Sequence, residues 1–315
     1  SYTLPFLMKS LTSHLLCFLT VPLFAQNLPS LLTGKNLNAT FSTLAYDAEA
    51  QEWGIAVATN NLYVGNSTVY IEPGLGAFSV IAETHPPYAH NGFQQLKQGA
   101  TIKQAILATK SQDAQSHFRQ VAGIDKEGNV FAFTGEALAY WQGTSSHLLG
   151  ENYVVMGNQL GENVLQHMAR TYARTRGPLA ERLLASLIAG QLVGGQVSGK
   201  QSAALVVKGT DNEWYNQIDL RVDHSQQPFV DLQKLMDYHY GRIQLNQAYY
   251  AFDAGNRPRA AQKLARAEKL LEGWNGMYSK IAYTHSLMGD DTPAVTWIQK
   301  ALLENPSWRV NLPAF

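Results

Sequence analysis

The order of the predicted elements indicates a layered α+β fold followed by an all-α segment. Strands dominate residues 40–228 but are interrupted by one helix and then by a pair of helices, and from Phe229 onward the pattern is helical. Runs of antiparallel strands with segregated helices are typical of α+β folds rather than of doubly wound parallel sheets. A 34-residue repeat in the helical segment is the third observation.

Alternation of apolar and polar residues predicts the strands, and helical spacing of apolar residues predicts the helices. Polar turns at 47–52 and at Pro73-Gly74 indicate two antiparallel hairpins near the start. The predicted strands cover 40–46, 53–59, 64–71, 76–83, 121–125, 130–133, 153–156, 203–207 and 218–222, and the predicted helices cover 93–109, 164–172 and 179–192.

The repeat relates small residues near the C-terminus. Its period is that of the tetratricopeptide unit, in which small residues let two antiparallel helices approach closely. We predict two such repeats, at about 241–274 and 275–308, in a helical segment that spans 229–315; an ordinary helical hairpin with coincidental alanines is the alternative. Asp291-Thr292-Pro293 indicates a helix start, with Thr292 as a cap. The repeated pairs are Ala248 and Ala282, Gly255 and Gly289, Ala260 and Ala294, and Ala267 and Ala301.

The charge balance of the chain argues against a nucleic-acid-binding protein. The chain has 315 residues, and its 24 lysines and arginines equal its 24 aspartates and glutamates. This balance predicts no basic face for nucleic acid. The length suits one large domain and a small one.

Residues 8–26 follow the pattern of a secretory signal peptide. Lys9 precedes an apolar run from Leu15 to Phe24, and Ala25 offers a small residue for cleavage. We predict a signal peptide at 1–25, with 1–7 upstream of the true start, and a linker or propeptide at 26–39. The protein is then exported, to the periplasm or beyond, and does not span a membrane after processing; an uncleaved anchor is the alternative.

The single cysteine, Cys17, lies inside that signal. A mature chain without cysteine excludes a disulfide scaffold, a thiol nucleophile and a zinc–thiolate site. His85 and His90 flank Pro86-Pro87, where loop histidines are a better interpretation than metal ligands, and no dinucleotide or phosphate-binding motif occurs. We predict neither a metal nor a cofactor.

Thr40 is the residue of this chain best suited to act as a nucleophile. It opens the first strand directly after the small residue Ala39. A threonine hydroxyl is a poor nucleophile alone, but at a chain terminus its own α-amine, with a pKa of roughly 8, takes the proton.

Asp219, Arg221 and Asp223 alternate along a strand, so their side chains share one face. We interpret them as a structural ion-pair ladder that holds the last strand, with a ligand site as the alternative. Gln201 and Ser202, at the mouth of the preceding strand, are capping or binding candidates.

Several blocks of this sequence resemble the uncharacterised family called domain of unknown function 1028, over about residues 40–240. That family resembles the N-terminal-nucleophile hydrolases. The resemblance implies a four-layer αββα sandwich over 40–228 and hydrolysis of an amide bond by a terminal threonine, serine or cysteine. The blocks are at 40–42, 52–58, 133–135, 157–158, 201–205 and 219–223.

Two functions follow from these observations. The first is an exported amidohydrolase of unknown amide or peptide substrate, with Thr40 exposed by a second cleavage at Ala39–Thr40. The second is a non-catalytic envelope protein, since signal cleavage alone leaves 26–39 blocking the amine, with the repeats docking a protein or cell-wall partner. The oligomeric state stays open, a homodimer included. The catalytic candidates are Thr40, Ser42, Asp47, Thr134 and Asn158, and the substrate-binding candidates are His85, Tyr88, Ser202, Asp219 and Arg221.

Overall fold

The computed structural model describes residues 39–213 and 216–314, with side chains up to Val310. The predicted signal peptide, Cys17 and the predicted linker up to residue 38 lie outside the described residues. No helix within those residues is long and apolar enough to cross a membrane.

Strands form the first part of the described chain and helices form the last. The strands are β1 (Thr40–Asp47), β2 (Glu52–Thr59), β3 (Val69–Glu72), β4 (Gly76–Ala82), β5 (Arg119–Asp125), β6 (Val130–Thr134), β7 (Thr144–Gly150), β8 (Tyr153–Leu160), β9 (Ser202–Gly209) and β10 (Ile218–Val222). The helices are α1 (Pro87–Lys97), α2 (Ile102–Lys110), α3 (Val164–Arg174), α4 (Leu179–Leu192), α5 (Pro228–Asp253), α6 (Arg257–Leu271), α7 (Tyr278–Met288) and α8 (Asp291–Glu304).

The strands form two antiparallel sheets. The large sheet has six strands in the order β10-β9-β2-β1-β8-β7, and the small sheet has four in the order β3-β4-β5-β6. Neighbouring strands pair antiparallel throughout. The predicted mixture of antiparallel sheets, segregated helices and a C-terminal helical segment is confirmed.

The two sheets share one apolar core. Leu44 and Ile55 of the large sheet pack with Ile81 and Ile124 of the small sheet. Because side chains alternate along a strand, the odd-numbered residues of β1 point the other way. Phe41 accordingly packs among the residues of α3, α4 and α5.

Helices cover the outer faces of both sheets. Phe78 and Val121 of the small sheet pack with Tyr88 of α1 and Ile106 of α2. On the large sheet, α3 and α4 cover the face to which Phe41 belongs, and the first turns of α5 join them there.

The structure differs from the local predictions at four places. The predicted helix at 93–109 is two helices, because Gly99 takes a φ of 87° and Thr101 starts α2 with a capping box to Gln104. The predicted strand at 64–71 shrinks to β3, since residues 65–67 turn. β7 is an additional strand, and Asp290 rather than Thr292 stands at the N-cap of α8.

The repeated small residues occupy equivalent places in the helical segment. Ala248, Ala260, Ala267 and Ala282 are wholly buried where the helices pack on one another. Gly255 and Gly289 follow α5 and α7 with φ of 75° and 76°, a conformation that glycine adopts without strain. α5 is continuous over 26 residues, so it belongs both to the packing on the large sheet and to the helical segment.

We predict that Gly54→Ala in β2 lowers the free energy of unfolding by about 1–3 kcal/mol through overpacking. A Cβ there would overlap Leu183 Cδ1 and lie 3.0 Å from Val207 Cγ2. Gly161→Ala is the control, because its Cβ would meet nothing closer than 3.8 Å. Urea denaturation of both variants checks this, and equal midpoints would contradict it.

Candidate functional site

Four polar side chains lie side by side at one end of the large sheet, and we call them the polar row: Ser202, Thr59, Thr40 and Asn158. The strand register pairs Thr40 with Thr59 and Thr59 with Ser202, while Phe41 pairs with Gly157 and so brings Asn158 beside Thr40. Their exposed fractions are 0% for Ser202 and Asn158, 1% for Thr59 and 5% for Thr40. The row is therefore a buried polar cluster.

The polar row faces the small sheet. Thr40 has the same parity along β1 as Leu44, which packs in the core between the sheets. The apolar core thus gives way to polar side chains where β1 begins. A buried polar cluster of this kind needs hydrogen-bond partners, and most of its members have them.

Thr40, Thr59 and Ala39 form a chain of hydrogen bonds. Thr40 Oγ1 donates to Thr59 Oγ1 at 3.1 Å, and Thr59 Oγ1 donates to the carbonyl oxygen of Ala39 at 2.6 Å. The hydroxyl of Thr40 is thereby linked, through one other hydroxyl, to the carbonyl of the peptide bond that precedes it.

The backbone of Ala39 is held on both sides. Its N–H donates to Asn60 Oδ1 at 2.9 Å, and its carbonyl also accepts from Asn60 N at 3.3 Å. Ala39 is wholly buried. Two donors therefore converge on one carbonyl oxygen next to a hydroxyl, the arrangement that stabilises negative charge on such an oxygen.

Asn158 connects Thr40 to the small sheet. Its Oδ1 accepts from Thr40 N at 3.1 Å, and its Nδ2 donates to Gln120 Oε1 at 3.1 Å. Gln120, which is wholly buried in β5, places its Nε2 within 3.0 Å of Thr134 Oγ1 and of the Gly157 carbonyl. The two sheets are therefore joined here by side-chain amides.

The network ends at His147 of β7. Thr134 Oγ1 lies 2.9 Å from His147 Nδ1. Burial lowers the pKa of the His147 imidazole below its usual range. The neutral ring is thus favoured near pH 7. In this form it shares a hydrogen bond with Thr134 and adds no charge to the network.

Four of the site residues predicted from the sequence lie together in the structure: Thr40, Asn158, Thr134 and Ser202. Ser42 lies two residues farther along β1 on the same face, with its Oγ 3.0 Å from Ser79 Oγ of the small sheet. Within the described residues, the buried Oγ of Ser202 has no hydrogen-bond partner. Unsatisfied buried hydroxyls are uncommon, and a functional site is one reason for them.

Asp47 does not join this cluster. It ends β1, which has eight residues, so it lies roughly 23 Å from Thr40 at the opposite end of the strand. Asp47 caps the β1–β2 turn through the N–H groups of Glu49 and Ala50, and its Oδ2 lies 3.3 Å from Arg182 Nη1. These contacts give it a structural role.

Tyr88 lies on the other side of the small sheet, and His85 precedes it in the connection between β4 and α1. Tyr88 is wholly buried against α2 and β6 and donates to Asp113 Oδ2 at 3.2 Å. Burial and then the Asp113 carboxylate raise the pKa of Tyr88 above its usual range. His85 contacts the Tyr88 ring edge to face. The four-stranded sheet separates Tyr88 from the polar row, whereas His85 lies in the connection that leads to α1.

Asp219 and Arg221 form an ion pair of 2.8 Å within β10, the edge strand of the large sheet. Their side chains are 44% and 42% exposed. The predicted ladder that would hold the last strand is thus corrected: the pair joins two residues of the same strand and lies in solvent. The backbone pairing of β10 with β9 is what holds that strand.

Thr59, Asn60, Gln120 and His147 were not among the sequence-predicted residues. Gln120 carries a weak signal, because it stands at an inward position of β5 where Ala122 and Ile124 are apolar. Thr59 ends an apolar strand and reads as an ordinary strand terminus. No cluster of three or more histidine, cysteine, aspartate or glutamate side chains suited to a metal ion occurs among the described residues.

Comparison with known proteins gives a family but no activity. The sequence model described as "Family of unknown function (DUF1028)" matches residues 40–232. The crystal structure of protein SPO2555 from Silicibacter pomeroyi, a DUF1028 protein, is similar with a TM-score of 0.57 and 30% identity, over 63% of this chain and 84% of that one. No curated protein matches.

A second solved structure is more distant. Anbu (ancestral beta-subunit) from Yersinia bercovieri has a TM-score of 0.30 and 12% identity, over 62% of this chain and 92% of that one.

We predict that Arg221→Ala changes the free energy of unfolding by less than about 1 kcal/mol, because exposed pairs contribute little. Arg119→Ala is the contrasting variant, since its pair with Asp113 is 2.9 Å long and the two side chains are 9% and 6% exposed. Removing that partner should cost about 3–5 kcal/mol. Chemical denaturation compares them, and a large loss at Arg221 would contradict this account.

The Asp113–Arg119 pair also predicts a pH dependence. Burial alone would raise the pKa of Asp113, but hydrogen bonds and charge from Arg119 outweigh it and hold that pKa below its usual value. The stabilisation is therefore fully present above pH about 4, near the unfolded pKa, and is lost as the pH falls through the lower folded value. Melting temperatures between pH 7 and pH 2 should fall less steeply for Asp113→Asn than for the parent, whereas Asp219→Asn should follow the parent.

Proposed function

We propose that this chain, which belongs to the DUF1028 family of unknown function, is an N-terminal-nucleophile hydrolase that cleaves amide bonds with Thr40. One observation carries the proposal: Thr40 Oγ1 and the Ala39 carbonyl oxygen are joined by the single hydroxyl of Thr59. Thr40 thus stands where attack on the preceding peptide bond would turn it into a free N-terminus.

The first step of the proposal is cleavage of the chain by itself. Thr40 Oγ1 bonds to the carbonyl carbon of Ala39 and passes its proton to Thr59 Oγ1, while the Thr59 proton moves to the Ala39 oxygen. The resulting neutral adduct collapses: that proton goes to Thr40 N, the C–N bond breaks, and residue 39 becomes an ester on Oγ1. Water then hydrolyses the ester, which leaves a carboxyl group on Ala39 and a free amine on Thr40.

The second step uses the same groups on a substrate amide. The free α-amine of Thr40, with a pKa of roughly 8, accepts the hydroxyl proton. Asn158 Oδ1 already accepts from this nitrogen at 3.1 Å and would orient the amine. Thr59 Oγ1 and Asn60 N, which donate to the Ala39 carbonyl, would donate to the substrate oxyanion.

The order of layers supports the same proposal. α1 and α2 pack on the small sheet, the small sheet packs on the large sheet, and α3 and α4 cover the other face. We propose that this is the four-layer αββα sandwich expected of N-terminal-nucleophile hydrolases. Thr40 of the polar row begins β1 between the two sheets. This is the position expected for the nucleophile of an N-terminal-nucleophile hydrolase. Export through the predicted signal peptide is part of the proposal.

A second candidate function is a non-catalytic envelope protein. The observation that favours it is the burial of Ala39, whose backbone is hydrogen-bonded on both sides and so holds the residue before Thr40 in place. In that case the layered domain is a non-catalytic platform, that is, a support for the helical segment. The helical segment, with its two tetratricopeptide-like repeats, binds a protein or cell-wall partner. Retention of the Ala39–Thr40 bond separates this function from the first.

We predict that the full-length chain yields a product that begins at Thr40 and that a β-lactone probe acylates the new terminus. Thr40→Ala should abolish both cleavage and labelling, and Thr40→Ser should retain them, because serine keeps the hydroxyl. Intact-mass spectrometry and peptide mapping of the adduct measure both.

Thr43→Ala is the matched control. Thr43 lies in the same strand but on the opposite face, where its Oγ1 is 2.8 Å from Ser186 Oγ. This variant should be cleaved and labelled like the parent. A folded parent whose mass retains residue 39, with no probe adduct, would refute the hydrolase and leave the platform.

A further inference from the structure

We infer that the substrate of the proposed hydrolase is the amide of an N-acylated small amino acid, with an alanine-sized residue on the acyl side of the bond that breaks. This inference rests on the proposed function, and it names the substrate class of the same site. The argument starts from Ala39, which occupies the acyl side of the first bond that Thr40 would cleave.

The contacts of the Ala39 backbone are those that an aminoacyl group would make. Its carbonyl accepts from Thr59 Oγ1 and Asn60 N, and its N–H donates to Asn60 Oδ1. Asn60 therefore reads both polar groups of the residue. An acyl group without an N–H at this position would not form the hydrogen bond that Ala39 N donates to Asn60 Oδ1, and its binding would lack that contribution.

The size of the acyl residue follows from burial. Ala39 is 0% exposed in the uncleaved chain, so its methyl group is enclosed there, and we take the acyl residue of the substrate to enter the same place. Proteins pack to nearly crystalline density, and enlarging an enclosed side chain by several carbons displaces its neighbours. Alanine, glycine or serine would fit this subsite, whereas leucine or phenylalanine would clash.

The charge of the site favours an acylated nitrogen over a free amine. The side chains that bind the Ala39 backbone, Thr59 and Asn60, are both uncharged, and Ala39 N is itself an amide. A protonated amine moved into this part-buried place would lose hydration and meet the neutral amide oxygen of Asn60. An N-acyl group, as in a peptide or an N-acylamino acid amide, presents one neutral N–H and fits.

The reaction is a hydrolysis that needs no further reactant besides water. Thr40 Oγ1 bonds to the substrate carbonyl carbon and its proton passes to the α-amine, which then protonates the leaving amine as the C–N bond breaks. Water cleaves the ester, which releases the N-acylamino acid and restores the Thr40 hydroxyl.

The test compares two fluorogenic amides that differ by one atom. N-acetyl-alanyl-aminocoumarin carries the N–H, and O-acetyl-lactyl-aminocoumarin has an oxygen in its place. Rates are divided by the fraction of chains that begin at Thr40, as counted by β-lactone labelling. We expect kcat/KM to be about tenfold higher for the alanyl compound, the effect of one hydrogen bond. N-acetyl-leucyl-aminocoumarin should be hydrolysed at least tenfold more slowly than the alanyl compound.

Asn60→Ala should remove the preference for the alanyl over the lactyl compound, and Asn66→Ala, at an exposed asparagine of the same connection, should retain it. If Asn60→Ala is not cleaved, the comparison of compounds on the parent alone decides. Equal rates on the alanyl and lactyl compounds, or a faster leucyl compound, would overturn the substrate class while labelling of Thr40 still upheld the hydrolase. A parent without cleavage or labelling would refute the hydrolase itself.

Discussion

The side-chain amide of Gln120 is the interaction on which the arrangement of this site depends. It is wholly buried in the small sheet, and it reaches Asn158 and the Gly157 carbonyl of the large sheet as well as Thr134 of its own sheet. Elsewhere the two sheets meet mainly through apolar side chains, with a hydroxyl contact between Ser42 and Ser79 and a hydrogen bond from Trp53 Nε1 to the Asp125 carbonyl. A buried polar network is favourable only when each member is paired, so Gln120 fixes the orientation of the Asn158 amide. Asn158 in turn holds the nitrogen of Thr40.

The same few groups serve two reactions under this account. Thr59 and Asn60 hold the carbonyl of Ala39, and after cleavage the same donors would hold the carbonyl of a substrate. Donors placed in advance around a developing oxyanion need no reorganisation during the reaction. The acyl side of the substrate would therefore resemble the segment of chain that the enzyme has removed. Whether the peptide bond before Thr40 is cleaved distinguishes the proposed hydrolase from a non-catalytic protein.

Local patterns predicted most of the fold, and long-range pairing limited the prediction of the site. Alternation located β1, β2 and β9, but β7 begins with Thr144-Ser145-Ser146 and lacks that pattern. Thr40 and Asn158 came from sequence blocks, whereas Thr59 depends on the β1–β2 register and Gln120 on the face that one sheet turns to the other. Asp47 is near Thr40 in sequence, yet an extended strand carries it to the far end. Tyr88 points away because helix α1 covers the outer face of the small sheet.

The kinetic order of cleavage tests the central claim most directly. The full-length chain can be made in a translation system of purified components and its mass followed over time at two protein concentrations. If Thr40 attacks its own peptide bond, the product that begins at Thr40 appears with a first-order rate that is the same at both concentrations. A rate that rises with protein concentration, or that requires added cell extract, would show that another molecule cuts the bond and would contradict the account.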